Sequence, residues 1–427
     1  MDKQLLHQAA CPTRRQFAKM LAAQFLALDF VTKLPAQANR PSHAGRGKAK
    51  SLIWIRFRGG LSHVDSFDIK EANTEANRAS EPIKTNTDGI YVAKYFTGMA
   101  KHMNRFALIN SMQHTQGVHS AAGYLMGTGY RPSSTVSHPE LGAWISKYAE
   151  RRSGAIPPFI KLGAKGGLGA GFFPGQYGAL PIPDPLAGIT NSTLPQGVTQ
   201  PQFQKRFSLT ERLNQEFEKT RSNTLTRNYH QAYANAVSLL GSKDLEVFNI
   251  ATESPQVKAA YGENQFGASC LLARRLVEQG VGCVTLSTGG WDDHADIYDG
   301  FATRAGIADQ GIASLIADLR SRGLLDTTLV AITTEFGRDA KLNKQGGRGH
   351  NPRGFSCLLA GGGIQGGQKY GSTDALGQTA VENIVSPEDL HKTLGYALGL
   401  PTEQVEMSPN GRPFTIGNKG KPITALF

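Results

Sequence analysis

Histidine, aspartate and glutamate gather at a few points of this sequence. Gly59-Gly60-Leu61-Ser62-His63-Val64-Asp65 follows the apolar run Leu52–Phe57, and His114 and His119 follow Phe106–Asn110. Asp292-Asp293-His294 comes after Val281–Ser287. Glu335-Phe336-Gly337-Arg338 comes after Thr327–Thr333, with His350 soon afterwards in a glycine-rich stretch. Carboxylates together with imidazoles are the usual donors to zinc and similar divalent ions. Two such ions a few Å apart can hold the attacking and leaving oxygens of a displacement at phosphorus or sulfur. The planar fork of Arg338 suits the non-bridging oxygens of such an anion.

His63, Asp65, Asp292, His294, Glu335 and His350 are therefore candidate metal ligands, and Arg338 is a candidate anion clamp. Each has a plainer alternative. His63 and Asp65 could form a loop hydrogen bond, Glu335 could pair with Arg338 alone, His119 could cap a helix over His119–Met126, and His350 could be merely exposed. The acid-acid-His run at 292–294 has the least structural purpose. His102, His138, His230 and His391 stand without such company and read as structural.

The elements that must position these residues alternate between strand and helix. Leu52–Phe57, Phe106–Asn110, Val281–Ser287, Thr327–Thr333 and Phe355–Ala360 are short apolar or β-branched runs. Between them, Gln265–Gly280 and Ile307–Arg322 carry apolar residues at helical spacing. Ser386-Pro387-Glu388-Asp389 has the signature of a helix start. Such alternation predicts an α/β fold, a mainly parallel sheet with helices on both faces. In sheets of that kind ligands bind outside the carboxyl ends of the strands, where the residues above are found. The region at about 165–260 is different, with glycine- and proline-rich stretches and then a charged helical segment, and reads as an inserted loop-and-helix region or cap.

Thr13-Arg14-Arg15-Gln16-Phe17-Ala18-Lys19 is a twin-arginine pattern, followed by the modestly apolar Met20–Val31 and a small-x-small site at Ala36-Gln37-Ala38. Residues 1–38 are thus expected to be a Tat signal peptide, 39–50 a basic linker and 51–427 the folded domain. The expected location is periplasmic or secreted, with the Tat translocon as partner during export and no stable membrane anchor. The net charge of +12 lies partly in the leader and linker. Without zinc-finger spacing or a basic–aromatic motif it argues for no nucleic-acid partner, and it is compatible with an anionic substrate. Of four cysteines, Cys11 falls in the leader; Cys270, Cys283 and Cys357 show no disulfide spacing and read as buried small hydrophobes.

The blocks RGGLSHVDSFD (58–68), HSAAGYLMGTG (119–129), HPELGAW (138–144), LLARRLVEQGVGCVTLSTGGWDDH (271–294), TLVAITTEFGR (328–338) and LLAGGGIQGGQKYGSTD (358–374) resemble domain-of-unknown-function family 1501. That family consists of Tat-exported proteins placed beside sulfatases in the alkaline phosphatase superfamily. The resemblance implies an alkaline phosphatase/sulfatase-like fold and a hydrolase of phosphate or sulfate esters. It implies one or two divalent ions, zinc first, with manganese or calcium as alternatives. HSAAGYLMGTG resembles the segment in which sulfatases place a Cys, Ser or Thr nucleophile, and His119 stands at that position with Ser120 beside it. With Arg338 they are the expected catalytic groups. No Cys is present there to become formylglycine, and Arg58 stands where relatives use Asp at the end of the first strand. The implied substrate is an anionic ester, small or polymeric. The alternative reading is a non-catalytic periplasmic binding or assembly protein with a protein partner.

Overall fold

The computed structural model describes residues 47–70, 81–149, 154–163, 168–189, 196–220, 239 and 242–427. The twin-arginine segment, Cys11, His230 and most of the basic linker lie outside them.

In β1 (Ser51–Phe57), Ile53, Ile55 and Phe57 enter one apolar cluster while Leu52 and Trp54 enter another on the opposite face. A strand covered on both sides reads as an almost unbroken apolar run, which is what this segment shows. The sheet is completed by β2 (Phe106–Met112), β3 (Phe159–Leu162), β4 (Leu180–Ile182), β5 (Cys283–Thr288), β6 (Thr328–Thr334), β7 (Phe355–Ala360) and β8 (Gln368–Tyr370). Their order across it is β8-β2-β7-β6-β1-β5-β3-β4. Every pairing is parallel except those of β7, which runs against both β2 and β6.

Helices cover both faces, as expected. They include α1 (His119–Thr128), α2 (Leu141–Tyr148), α3 (Gln265–Glu278), α4 (Phe301–Ser321) and α5 (Pro387–Ala397). Leu271 and Leu276 of α3 and Ile312 and Leu315 of α4 share a cluster with Ile53. Trp144 and Ile145 of α2 and Leu390 and Leu394 of α5 share the other with Leu52. The start of α5 is a capping box, in which the Ser386 hydroxyl accepts the Asp389 N–H at 3.1 Å and the Asp389 carboxylate accepts the Ser386 N–H at 3.0 Å. Ser386→Ala is expected to cost about 1 kcal/mol, read as a lower denaturation midpoint with unchanged slope.

The region 165–260 is only partly an addition to the sheet. Leu180–Ile182 supplies its edge strand, beside β3, and Gln200–Thr220 then forms a long helix. Cys270, Cys283 and Cys357 are buried, and burial pushes the Cys283 thiol up to about 12. His391 is buried with its ring on the Met126 carbonyl at 2.9 Å, a structural role as expected. Among the described residues no helix is long and apolar enough to cross a membrane.

Candidate metal centre

Register brings the site together. Phe57 is level with Thr288 on one side and Thr334 on the other, so β1, β5 and β6 end at one edge. The chain leaving them delivers Gly59, Asp292 and Glu335 there. Phe355 lies beside Met112, so the reversed β7 begins at the same edge where β2 ends. His119 therefore arrives after β2, and His350 arrives before β7. A reversed strand is how a residue preceding it reaches an edge otherwise built from residues that follow strands.

Two glycines permit the close approach of these exits. Gly59 has φ +115°, and a Cβ there would lie 2.6 Å from the Asp292 nitrogen. A Cβ on Gly347 would lie 2.0 Å from the His294 carbonyl carbon. The 343–350 loop is held against that segment by Asn343, whose side-chain N–H donates to the His294 carbonyl at 2.8 Å.

His119, Asp292, His294 and His350 each turn one donor atom inward, and the four atoms lie within 4.8 Å of one another. Asp292 Oδ1 is 3.0 Å from His294 Nε2 and 3.2 Å from His350 Nε2, and its Oδ2 is 3.2 Å from His119 Nε2. The Nε2 atoms of His294 and His350 are 2.9 Å apart. Donors around a tetrahedral ion with bonds of about 2.0–2.2 Å stand about 3.3–3.6 Å from each other, so these contacts of 2.9–3.2 Å are slightly tighter than such a set, and a cation would seat by spreading the donors a few tenths of an ångström.

The outer partners set which nitrogen faces inward. His350 Nδ1 donates to the Gly117 carbonyl at 2.7 Å, which leaves the Nε2 lone pair for the cluster. His119 Nδ1 donates to Glu335 Oε1 at 2.7 Å, and its Nε2 is buried without a hydrogen bond. Metal-binding imidazoles are commonly oriented by a carboxylate or carbonyl in this way. Burial would raise the Asp292 carboxyl, but the Arg338 guanidinium that donates to it holds it down at about 2. Burial lowers His294 below its ordinary value, against the pull of Asp292. Phe336 stacks on His350 with ring centres 4.4 Å apart and closes one side.

The structure does not bring all the sequence-selected residues together. Glu335 is one that falls outside the four: its Oε1 is taken by His119 Nδ1 and by the Gly59 N–H at 2.7 Å, which places it behind a donor. Asp65 is another: it is buried and paired through both oxygens with Arg348, at 2.7 and 3.0 Å. His63, only 1% exposed, directs Nε2 to the Gly377 carbonyl at 2.6 Å and stands outside the cluster. Arg338 is wholly buried. Its guanidinium donates to the carbonyls of Gly59, Gly60, Trp291 and Arg348 and to Asp292, so no edge is left to clamp an anion. Ser120 is exposed on the first turn of α1 and makes none of the site's hydrogen bonds.

A family model described as "Protein of unknown function (DUF1501)" matches residues 49–427. The chain belongs to this family. The comparison with curated proteins finds no sequence match. Among solved structures, this DUF1501 chain is similar to the PsFucS1 sulfatase from Pseudoalteromonas sp., at 12% identity and TM-score 0.41, over 91% of this chain and 72% of that one. It is similar to the lipoteichoic acid synthase LtaP from Listeria monocytogenes, at 10% identity and TM-score 0.39, over 90% and 78% of the two chains. It is also similar to alkaline phosphatase from the Antarctic bacterium TAB5, at 12% identity and TM-score 0.31, over 74% and 92%. None of these likenesses bears on activity.

Proposed function

We propose that this protein is an exported metal-dependent hydrolase of phosphate or sulfate esters, with one divalent ion held by His119, Asp292, His294 and His350. The observation that carries the reading is the inward turn of these donors, with His119 Nε2 buried without a hydrogen bond and the far nitrogens of His119 and His350 already committed. Three imidazoles and one carboxylate suit zinc or a neighbouring first-row ion; calcium, which takes oxygen donors, fits this set poorly. A bound ion would supply Lewis acidity toward an ester oxygen and lower the pKa of water.

The chain's own residues do the rest. His119 acts as a donor and not as the nucleophile, Glu335 fixes its tautomer, and Arg338 ties Asp292 to the ends of β1 and β5. Arg58, exposed at the end of β1, pairs with no acid among the described residues and is the guanidinium free to meet an anionic ester. Asp292 and His294 are about half exposed, with side-chain exposures of 45% and 50%, so a substrate in solution can reach the cluster. The Tat leader is the basis for export.

The test is metal content by mass spectrometry on protein purified without added metal or chelator, followed by a panel of nitrophenyl phosphate mono- and diesters and sulfate esters. One ion per chain and turnover abolished by a chelator are expected. Stoichiometric metal with no turnover on any ester would favour a non-catalytic binding protein. A chain that takes up neither zinc nor manganese would overturn the reading. Glu335→Gln is expected to weaken metal affinity by about 10–100-fold with little loss of stability, measured by competition with a chromogenic chelator.

A further inference from the structure

Beyond the far end of α1 the chain forms a second cleft of about 640 Å³. Ten residues of helix, about 15 Å, separate the two ends of α1, with His119 at the first. The inner wall of the cleft is aromatic. Tyr130 lies flat on His138 with ring centres 4.6 Å apart, and Phe414 stands edge-on to both rings at 5.2 and 4.8 Å. Tyr130 is fixed through its hydroxyl, which donates to the Thr415 carbonyl at 2.7 Å and accepts the Thr415 N–H at 3.0 Å.

His138 is only 4% exposed yet lines this cleft. The Tyr124 hydroxyl accepts the His138 backbone N–H at 2.7 Å and donates to its Nδ1 at 2.8 Å. Burial holds the imidazole at about 4, and with Nδ1 accepting from Tyr124 the proton of the neutral ring sits on Nε2. That N–H has no partner among the described residues. Arg131, Arg412 and Glu388 line the same cleft. Arg131 spends one N–H on Thr115, and neither guanidinium pairs with an acid among the described residues.

These groups ask for a ligand of mixed character. Two guanidiniums match an oxyanion. A carboxylate and the single N–H of a largely buried ring match hydroxyl groups. The Tyr130–Phe414 wall matches an apolar ring face, and the volume is that of a small-molecule pocket. We propose that this cleft binds an acidic sugar unit, a hexose ring carrying a carboxylate or a sulfate, with the anion on Arg131 and Arg412 and the hydroxyls on Glu388 and His138. The binding does not depend on the metal reading, although a sugar polymer held here would lie one helix length from the histidine cluster.

The experiment is titration calorimetry on the full chain in excess chelator, with glucuronate, a galactose sulfate and neutral galactose as probes. Millimolar binding of one or both anions is expected, and which of them binds identifies the oxyanion; galactose should bind at least about tenfold more weakly. The Arg131→Ala/Arg412→Ala double variant, altered only on the surface, should melt as wild type does and lose at least about tenfold in affinity. His138→Phe, which keeps the stacked ring and removes the N–H, should weaken binding without moving the preference for an anion. No binding of either anion at tens of millimolar, or a double variant that binds as wild type does, would overturn the proposal. Because chelator is present throughout, that failure would be separate from a failure of the metal reading.

Discussion

Alanine in place of Asp292 is expected to abolish metal uptake, and with it any ester turnover, while the fold survives. Asp292 stands 3.0–3.2 Å from all three imidazole nitrogens, and the other carboxylate at hand, Glu335, is spent on His119 and Gly59. Without Asp292 the cluster is three imidazoles and no anion, with the Arg338 guanidinium behind them, an environment that disfavours a divalent cation. Loss of an outer partner alone costs about 10–100-fold in affinity, so loss of this inner anion should cost more than about 100-fold. Asp292→Asn keeps the volume and should behave nearly as badly, which would identify charge as the cause. Metal content, ester turnover and a circular-dichroism melt on the same samples check the set. The pH dependence follows in sign. With its carboxyl held down at about 2, Asp292 is expected to stay ionised through mildly acidic pH, so the imidazoles govern loss of metal in acid. His294 is shifted below its ordinary value, so affinity should persist somewhat below the usual histidine range before protons displace the ion. An Asp292→Ala protein that keeps one full ion would show that the ligand set is wrong.

The parts of the fold legible in the sequence were those in which burial leaves a local pattern. β1, β5 and β6 are covered on both faces and announce themselves as apolar runs; α3 and α4 carry helical spacing, and α5 carries its cap. An apolar run has no direction, so the reversal of β7 was invisible, although it is what brings His350 to the edge. β3 holds Lys161 at its centre, where Glu140 pairs with it, and β4 holds Pro181, tolerable because that strand is at the edge. Pro181 made the second read as loop, and the first, short and interrupted by a charge, carries no strand pattern in the sequence. At the site, spacing showed which residues reach one edge of the sheet, but not which lone pairs turn inward. His119 and Glu335 thus exchanged roles, since the 2.7 Å bond between them joins residues far apart in the chain. Arg338 and Arg348 are alike in sequence, and only the packing shows that both are consumed in holding loops together.

Asp65 separates a ligand from a structural ion by a measurement of its own. Its two oxygens face Arg348 in a fully buried pair, and Arg348 also donates to the carbonyls of Asp339 and Ala340. The pair thereby ties the 62–66 turn to the chain that carries His350. Removing one partner of a buried pair strands the other charge in a poor solvent, at about 3–5 kcal/mol. Asp65→Ala should therefore lower the unfolding free energy by that amount, a large share of a typical domain's margin. Removing both charges together, as Asp65→Leu with Arg348→Met, should recover part of the loss, because no uncompensated ion then remains. A double-mutant cycle by chemical denaturation measures this coupling. The folded fraction of Asp65→Ala should still hold one ion, since none of the four inward donors is touched. If instead the variant lost its metal at unchanged stability, Asp65 would be a ligand after all, and the single-ion centre would give way to one extending toward His63.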